Sequence, residues 1–305
     1  MLFSRVRFFG LLLLLVLYIV AVLILSAVSI QEPKPKNYEN KDDSGLNNRQ
    51  IKVKGLEYGL PGFRPPLRKS RINWCTELRY IDPPREPIAL ASFPGSGNTW
   101  LRYLLQQATG YYTGSIYKDY GLLKNGFPAE SVYNGSVLVV KTHEYGPRAR
   151  SKFAKAILLV RSPGRAIQAE FNRQSGGHIG FASPERYRRT NGRFWQQFVS
   201  DKLRGWQQTN LDWLYNFTGP THVIFYEQLV DDVENTLKTV MEFIEVKIDK
   251  KLFECAIERK EGIYRRKKRV LAFDPYTPKM KKQLKEVQEK VYEAIYNIAA
   301  PASGR

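Results

Sequence analysis

The stretch Ile88-Ala89-Leu90-Ala91-Ser92-Phe93-Pro94-Gly95-Ser96-Gly97-Asn98-Thr99-Trp100 decides how the rest of this chain is read. A short apolar run, Ile88 to Ala91, breaks at a Pro/Gly turn. A helical pattern carrying Trp100, Leu101, Tyr103, Leu104 and Leu105 follows at once. A buried strand that turns directly into a helix leaves a nest of backbone N–H groups at the helix N-terminus, where aligned peptide dipoles favour a phosphate or sulfate. Gly95 and Gly97 allow close backbone approach to an anion, and Ser96 and Thr99 add hydroxyl donors. An ordinary glycine-rich strand–helix turn needs the same residues, so the loop alone leaves both readings open. It is neither a Walker A loop, since no Gly-Lys-Ser/Thr follows, nor the Gly-x-Ser-x-Gly elbow of a hydrolase.

Further along, apolar runs alternate with helical patterns. Strands are expected at residues 87–91, 136–141, 156–161 and 222–226, and helices at 99–109, 163–173, 193–217 and 233–244. Short, almost uniformly apolar strands separated by helices imply a parallel sheet covered on both faces, an α/β fold. Ligands bind at the C-terminal ends of the strands in such sheets. The opening loop ends the first strand, Lys141-Thr142-His143 the second and Arg161 the third. If the strand period continues, Lys141 and His143 point the same way. A neutral His could take a proton from a hydroxyl, and a Lys could hold an anionic leaving group. The chain has three histidines, and His178 and His222 lack such company. Met280, Leu284, Val287, Val291 and Ile295 mark a C-terminal amphipathic helix, to which no chemistry is assigned.

Over 305 residues the formal net charge is +19, a field that draws anions such as nucleotides, acidic glycans, anionic lipids or nucleic acid. Arg186-Tyr187-Arg188-Arg189 and Arg265-Arg266-Lys267-Lys268-Arg269 concentrate that charge, although a solvated face reads the same way. Phe8 to Val28 is an almost unbroken apolar run, long enough to span a bilayer. Arg5 and Arg7 precede it, while Glu32 partly offsets Lys34 and Lys36 behind it. The bias gives a cytosolic tail at residues 1–7, a signal anchor at 8–30 and a lumenal remainder. A cleaved signal peptide, with Ala27-Val28-Ser29 as its cleavage site, is the alternative. Residues 31–71 are polar and rich in Pro, Asn and Lys, so they read as a flexible lumenal stem before a domain at 72–305. Sequons at Asn134 and Asn216 fit a lumenal domain. The two cysteines, Cys75 and Cys255, could form one disulfide or remain buried thiols. No Cys/His cluster has metal-ligand spacing, so no metal is expected.

In order, these segments resemble the sulfotransferase family that uses 3′-phosphoadenosine 5′-phosphosulfate (PAPS). Ser92 to Trp100 is similar to that family's 5′-phosphosulfate loop, commonly T-Y-P-K-S-G-T-x-W. Lys141-Thr142-His143 resembles the Lys-Thr-His of cytosolic members, whose His is the catalytic base. Ile157-Leu158-Leu159-Val160-Arg161 resembles the strand whose terminal Arg grips the 3′-phosphate, and Phe225-Tyr226-Glu227-Gln228-Leu229 the segment whose Tyr lies near the adenine. Arg259-Lys260-Glu261-Gly262 is similar to the late Arg-Lys-Gly phosphate loop with one residue inserted. The resemblance implies a P-loop-like, three-layer α/β fold with a central, mainly parallel sheet, preceded by a single transmembrane helix. With Ala169-Glu170-Phe171-Asn172-Arg173, the loop looks closest to single-pass proteins that carry Cys-rich WSC domains before a sulfotransferase module. Two cysteines leave no room for such a domain, and the stem stands in its place.

The resemblance implies transfer of a sulfonate from PAPS to a hydroxyl of a glycan in the Golgi lumen, with a sialic acid hydroxyl as a specific candidate. His143 would be the general base. Lys141, with Pro94, Gly95, Ser96, Gly97, Asn98 and Thr99, would stabilise charge on the sulfonate and the bridging oxygen. Trp100 and Tyr226 would meet the adenine, and Arg161, Arg259, Lys260 and Gly262 would hold the 3′-phosphate. The implied partners are an acidic glycan or glycoprotein and a membrane, without nucleic acid. Gly95 stands where most relatives have a Lys on the sulfonate, and Ala169 where many have a Ser on the 3′-phosphate. Lys141 is expected to supply the missing charge; Arg102 is a weaker candidate, because it could face solvent. One competing reading is a catalytically inactive, membrane-anchored protein that binds acidic glycans. Another is a nucleoside or carbohydrate kinase, disfavoured by the missing Gly-Lys-Ser/Thr motif.

Overall fold

A computed structural model describes residues 72–265 and 271–299. The expected tail (1–7), anchor (8–30) and stem (31–71) lie outside the described residues, as does the second basic cluster beyond Arg265. Among the described residues no helix is long and apolar enough to cross a membrane.

The chain order begins β1 (Ile88–Ser92), α1 (Asn98–Thr109), β2 (Gly114–Ser115), α2 (Tyr120–Lys124), β3 (Val140–Thr142), α3 (Pro147–Arg150), β4 (Lys155–Val160) and α4 (Pro163–Gly176). It continues with α5 (Pro184–Arg188), α6 (Arg193–Tyr215), β5 (Thr221–Phe225), α7 (Tyr226–Asp231), α8 (Val233–Phe243), α9 (Lys250–Glu258) and α10 (Pro278–Ala299). The strands form one parallel sheet in the order β2-β3-β1-β4-β5.

β1 is the central strand and is buried along its whole length. Side chains alternate across a strand, so β1 serves two cores at once. Ile88 and Leu90 share one with α1, α8 and α9, while Ala89 and Ala91 share the other with Ile167, Trp206, Trp213 and Val291 from α4, α6 and α10. β4 divides the same way: Ile157 and Leu159 join the first core, and Ala156, Leu158 and Val160 the second. Helices on both faces of a parallel sheet give the three layers that the uniformly apolar strands imply.

Most expected elements differ from the observed ones by a residue or two at their ends. The run at 136–141 differs more, because only Val140–Thr142 is regular strand. Val137, Leu138 and Val139 are buried all the same, with Leu138 donating to Tyr112 O and Val139 O accepting from Gly114 N. Arg102 neither faces solvent nor reaches the site proposed for it. It is fully buried, with Nη1 2.6 Å from Glu130 Oε1, and Nε and Nη2 each 3.0 Å from Thr113 Oγ1 and Thr113 O. Its guanidinium carbon lies 4.3 Å from the Phe127 ring centroid. Losing either charged partner would strand a buried charge, so this pair fixes the entry to β2 against α1.

Cys75 is bonded to Cys255, with a Cα–Cα distance of 6.0 Å across 180 positions. The bond fastens the segment ahead of β1 to α9. Cys75 N also donates to Gln107 Oε1 at 2.8 Å, and Arg259 Nη1 to Asn73 O at 2.9 Å. Replacing both cysteines by serine is expected to lower the unfolding free energy by roughly 2–4 kcal/mol. The readout is the urea midpoint under non-reducing conditions, and an unchanged midpoint would contradict the clamp.

Candidate active site

In a parallel sheet every strand ends at the same edge. The first residues beyond β3, β4 and β5 are His143, Arg161 and Tyr226, and the loop after β1 emerges between them. β1 is also where the connections reverse direction across the sheet, the usual position of a ligand crevice. A cleft of about 1440 Å³ opens there. Its wall includes the loop, Lys141, His143, Arg161 and Tyr226, together with one face of α4: Arg165, Gln168, Ala169, Asn172 and Arg173. Among the described residues no cluster of three or more His, Cys, Asp or Glu side chains could hold a metal ion.

The loop has a fixed shape. Gly95 and Gly97 take left-handed conformations at φ 87° and 101°. The Asn98 amide turns back to β1, donating to Leu90 O at 2.9 Å and to Ser92 Oγ at 3.1 Å. Ser96 is buried under the loop, off the cleft wall, and its hydroxyl has no protein partner. Pro94, Gly95, Gly97, Asn98, Thr99 and Trp100 border the cleft. The first amides of α1 have no intrahelical acceptor, so the helix end can receive an anion.

Gly95 is a steric requirement. A Cβ there would lie 2.3 Å from Ala166 O and 2.8 Å from Glu170 N, because α4 packs directly on the loop backbone. A Cβ on Gly97 would lie 2.5 Å from the Tyr226 ring.

His143 is half-buried. Its Nδ1 sits 2.7 Å from the Ser92 carbonyl and 3.3 Å from Ser92 Oγ. A carbonyl can only accept, so Nδ1 carries the proton and Nε2 keeps its lone pair. Burial, and then the charge of Lys141, push the imidazole down to about 3, which keeps it neutral. Lys141 is 6% exposed and lines the same wall. Burial first, then repulsion from Arg102, push its amine down to about 8, with Glu130 and Asp119 opposing.

Arg161 is held from two sides. Its Nη1 donates to Gly95 O at 2.9 Å, its guanidinium carbon lies 4.1 Å from the Tyr226 ring centroid, and its buried Nε has no protein partner. Burial lowers its pKa, and the like charge of Arg165 adds to that lowering. Tyr226 in turn meets Trp100 edge-on at 5.9 Å. Trp100 is 1% exposed, and its Nε1 donates to Lys260 O at 2.7 Å, so most of the indole belongs to the core.

The late basic segment lies elsewhere. The Arg259 guanidinium turns to Asn73, Lys260 supplies its carbonyl to Trp100, and Gly262 packs on Tyr103; none of the three borders the cleft. Glu261, Tyr264 and Arg265 do. The inserted Glu261 shifts the segment out of step with the three-residue motif. Sequence reasoning also missed Arg165, whose signal was its place in the first turn of α4, four residues after Arg161, and Tyr117, which sits in a stretch without periodicity.

A WSCD family member of Aedes aegypti is 52% identical over 317 residues, covering 95% of this chain and 96% of the relative. A WSCD family member of Drosophila melanogaster is 51% identical over 314 residues, covering 94% and 96%. No family model matches the chain. Among solved structures, a mouse sulfotransferase complexed with PAP aligns with 71% of this chain and 90% of its own at 17% identity and a TM-score of 0.46. A sulfotransferase of Alicyclobacillus acidocaldarius aligns with 70% and 95% at 12% identity and a TM-score of 0.37.

The packing at Gly95 predicts that Gly95→Ala destabilises the domain by about 1–3 kcal/mol, the range for forcing atoms into a filled site. Gly95→Lys should do no better, with no gain of anion affinity to offset the loss. Thermal melting with and without PAP checks both, and a Gly95→Lys protein that melts with wild type would contradict the packing.

Proposed function

This chain belongs to the WSCD family, and we propose that it is a sulfotransferase that moves a sulfonate from PAPS to a hydroxyl of an acidic glycan. The observation that carries this reading is His143, neutral and presenting Nε2, on the same strand edge as Lys141 and Arg161. A buried polar atom on the cleft wall, Arg161 Nε, lacks a protein partner and suits an anionic ligand. When bound, PAPS supplies the sulfonate and departs as PAP. The His143 Nε2 lone pair takes the proton of the acceptor hydroxyl. Lys141 and the first amides of α1 stabilise the charge that develops at the sulfonate and its bridging oxygen. Arg161 and Arg165 would hold the 3′-phosphate of the donor.

A Golgi-lumenal domain behind a type II anchor at residues 8–30 belongs to the same proposal. Asn134 and Asn216 are exposed, which suits glycosylation there. The excess of basic residues favours an acidic acceptor, with a sialic acid hydroxyl as a candidate. A second reading, a catalytically inactive protein that holds acidic glycans, draws support from Gly95, where no cationic side chain fits.

Calorimetry with PAP on the full-length chain tests the donor site. Low-micromolar binding or tighter is expected, and absent binding would leave only the glycan-binding reading. Arg161→Ala should weaken PAP about tenfold or more and leave 5′-AMP, which lacks the 3′-phosphate, nearly unchanged. The Lys141 amine is cationic below its pKa of about 8 and neutral above it. PAP affinity should therefore fall as pH rises through that value, whereas Lys141→Arg should hold its affinity. A wild-type profile that stays flat through this window would contradict the role of Lys141.

A further inference from the structure

Tyr117 lies between the two reactive groups and has no part in the mechanism above. Its ring stacks on the His143 imidazole, with centroids 5.8 Å apart and planes 26° from parallel. Lys141 Nζ is 5.7 Å from the same ring centroid. The phenol oxygen accepts the His143 backbone N–H at 3.1 Å and donates to Glu144 Oε1 at 2.8 Å. Burial and then Glu144 push the phenol's pKa upward, so it stays protonated and remains a donor. The backbone of Tyr117 is fixed as well. Tyr117 N donates to Ser115 Oγ at 3.0 Å, and Tyr117 O accepts from Ser131 N at 2.9 Å.

We propose that Tyr117, anchored through Glu144, is a positioning residue that fixes His143 in the tautomer with Nε2 free to accept a proton. The inference rests on reading His143 as the general base. Two contacts do the work. The hydroxyl pins the backbone of His143, which sets the imidazole against the Ser92 carbonyl and so keeps the proton on Nδ1. The ring covers one face of the imidazole and keeps water from stabilising the cation. It also gives the Lys141 ammonium a π face, so the amine stays beside the base without an acidic partner to neutralise it. Glu144 is exposed, and its carboxylate orients the phenol from the solvent side.

The test is ¹⁵N NMR of the full-length chain labelled at its three histidines, with His143→Asn identifying the signal. In wild type, His143 should show a protonated Nδ1 and an unprotonated Nε2, and should stay neutral well below the usual imidazole midpoint of about 6.5. Tyr117→Leu, which removes both ring and hydroxyl, should raise its midpoint by about one pH unit or more. Tyr117→Phe, which keeps the ring, should retain a low midpoint. A Tyr117→Leu protein that titrates with wild type overturns the proposal. So does a wild-type imidazole protonated on Nε2, a result that needs no variant to fold. PAP calorimetry on the same samples separates the two ideas. A His143 held as described in a protein that binds no PAP supports the clamp and contradicts the donor site.

Discussion

Helix α4 lies so close to the loop after β1 that the Cα of Gly95 has room for nothing larger than hydrogen. The rest of the cleft follows from that contact. It imposes the left-handed turn that ends in the open amides of α1, and it brings Gly95 O within reach of Arg161. It also turns one face of α4, with Arg165 and Arg173, toward the cleft. A longer side chain at position 95 would push α4 away and break this arrangement. A lysine at this position is therefore excluded by packing, and in the proposed mechanism the cation beside the sulfonate is Lys141, at the end of β3.

The cleft concentrates positive charge in a half-buried place. Lys141, Arg161 and Arg165 line it, and the buried Arg102 adds its field from below. Burial lowers the pKa of Lys141, Arg161 and His143, so holding positive charge there is costly without an anion beside it. Several acidic groups nearby are already paired, Glu130 with Arg102, Asp119 with His178 at 2.7 Å, Glu170 with Arg173 and Glu261 with Arg265, while Glu144, Glu227 and Asp231 also border the cleft. A multivalent anion relieves this repulsion, and a nucleotide with phosphates at both ends has the charge to do so.

Much of this could be read from the chain. Ile88 to Trp100 gave strand, loop and helix because the apolar run, the two glycines and the helical repeat follow one another without a gap. His143, Arg161 and Tyr226 were legible because a parallel sheet delivers the residue after every strand to one edge, so placement required only the strand ends. What stayed hidden depended on contacts across the fold. Arg102 occupies a polar position on a helix, and only the fold reveals Glu130 and Thr113 around it. Tyr117 belongs to a loop with no period to flag it. The Arg259 segment matched a motif in spelling while its guanidinium turned to Asn73, a partner 186 positions away that no local pattern reveals. Spacing left the pairing of Cys75 with Cys255 open, because two cysteines 180 positions apart can meet only if the fold brings them together.

The central claim is that the neutral His143 imidazole removes a proton from an acceptor hydroxyl at this cleft. Radiolabelled sulfonate transfer from PAPS to a panel of sialylated, sulfated and neutral glycans tests it most directly, with wild type and His143→Ala run side by side. Labelled acidic glycan is expected with wild type, and labelling reduced at least about 100-fold with His143→Ala. Equal labelling by the two proteins, or none by a wild type that binds PAP, would contradict it.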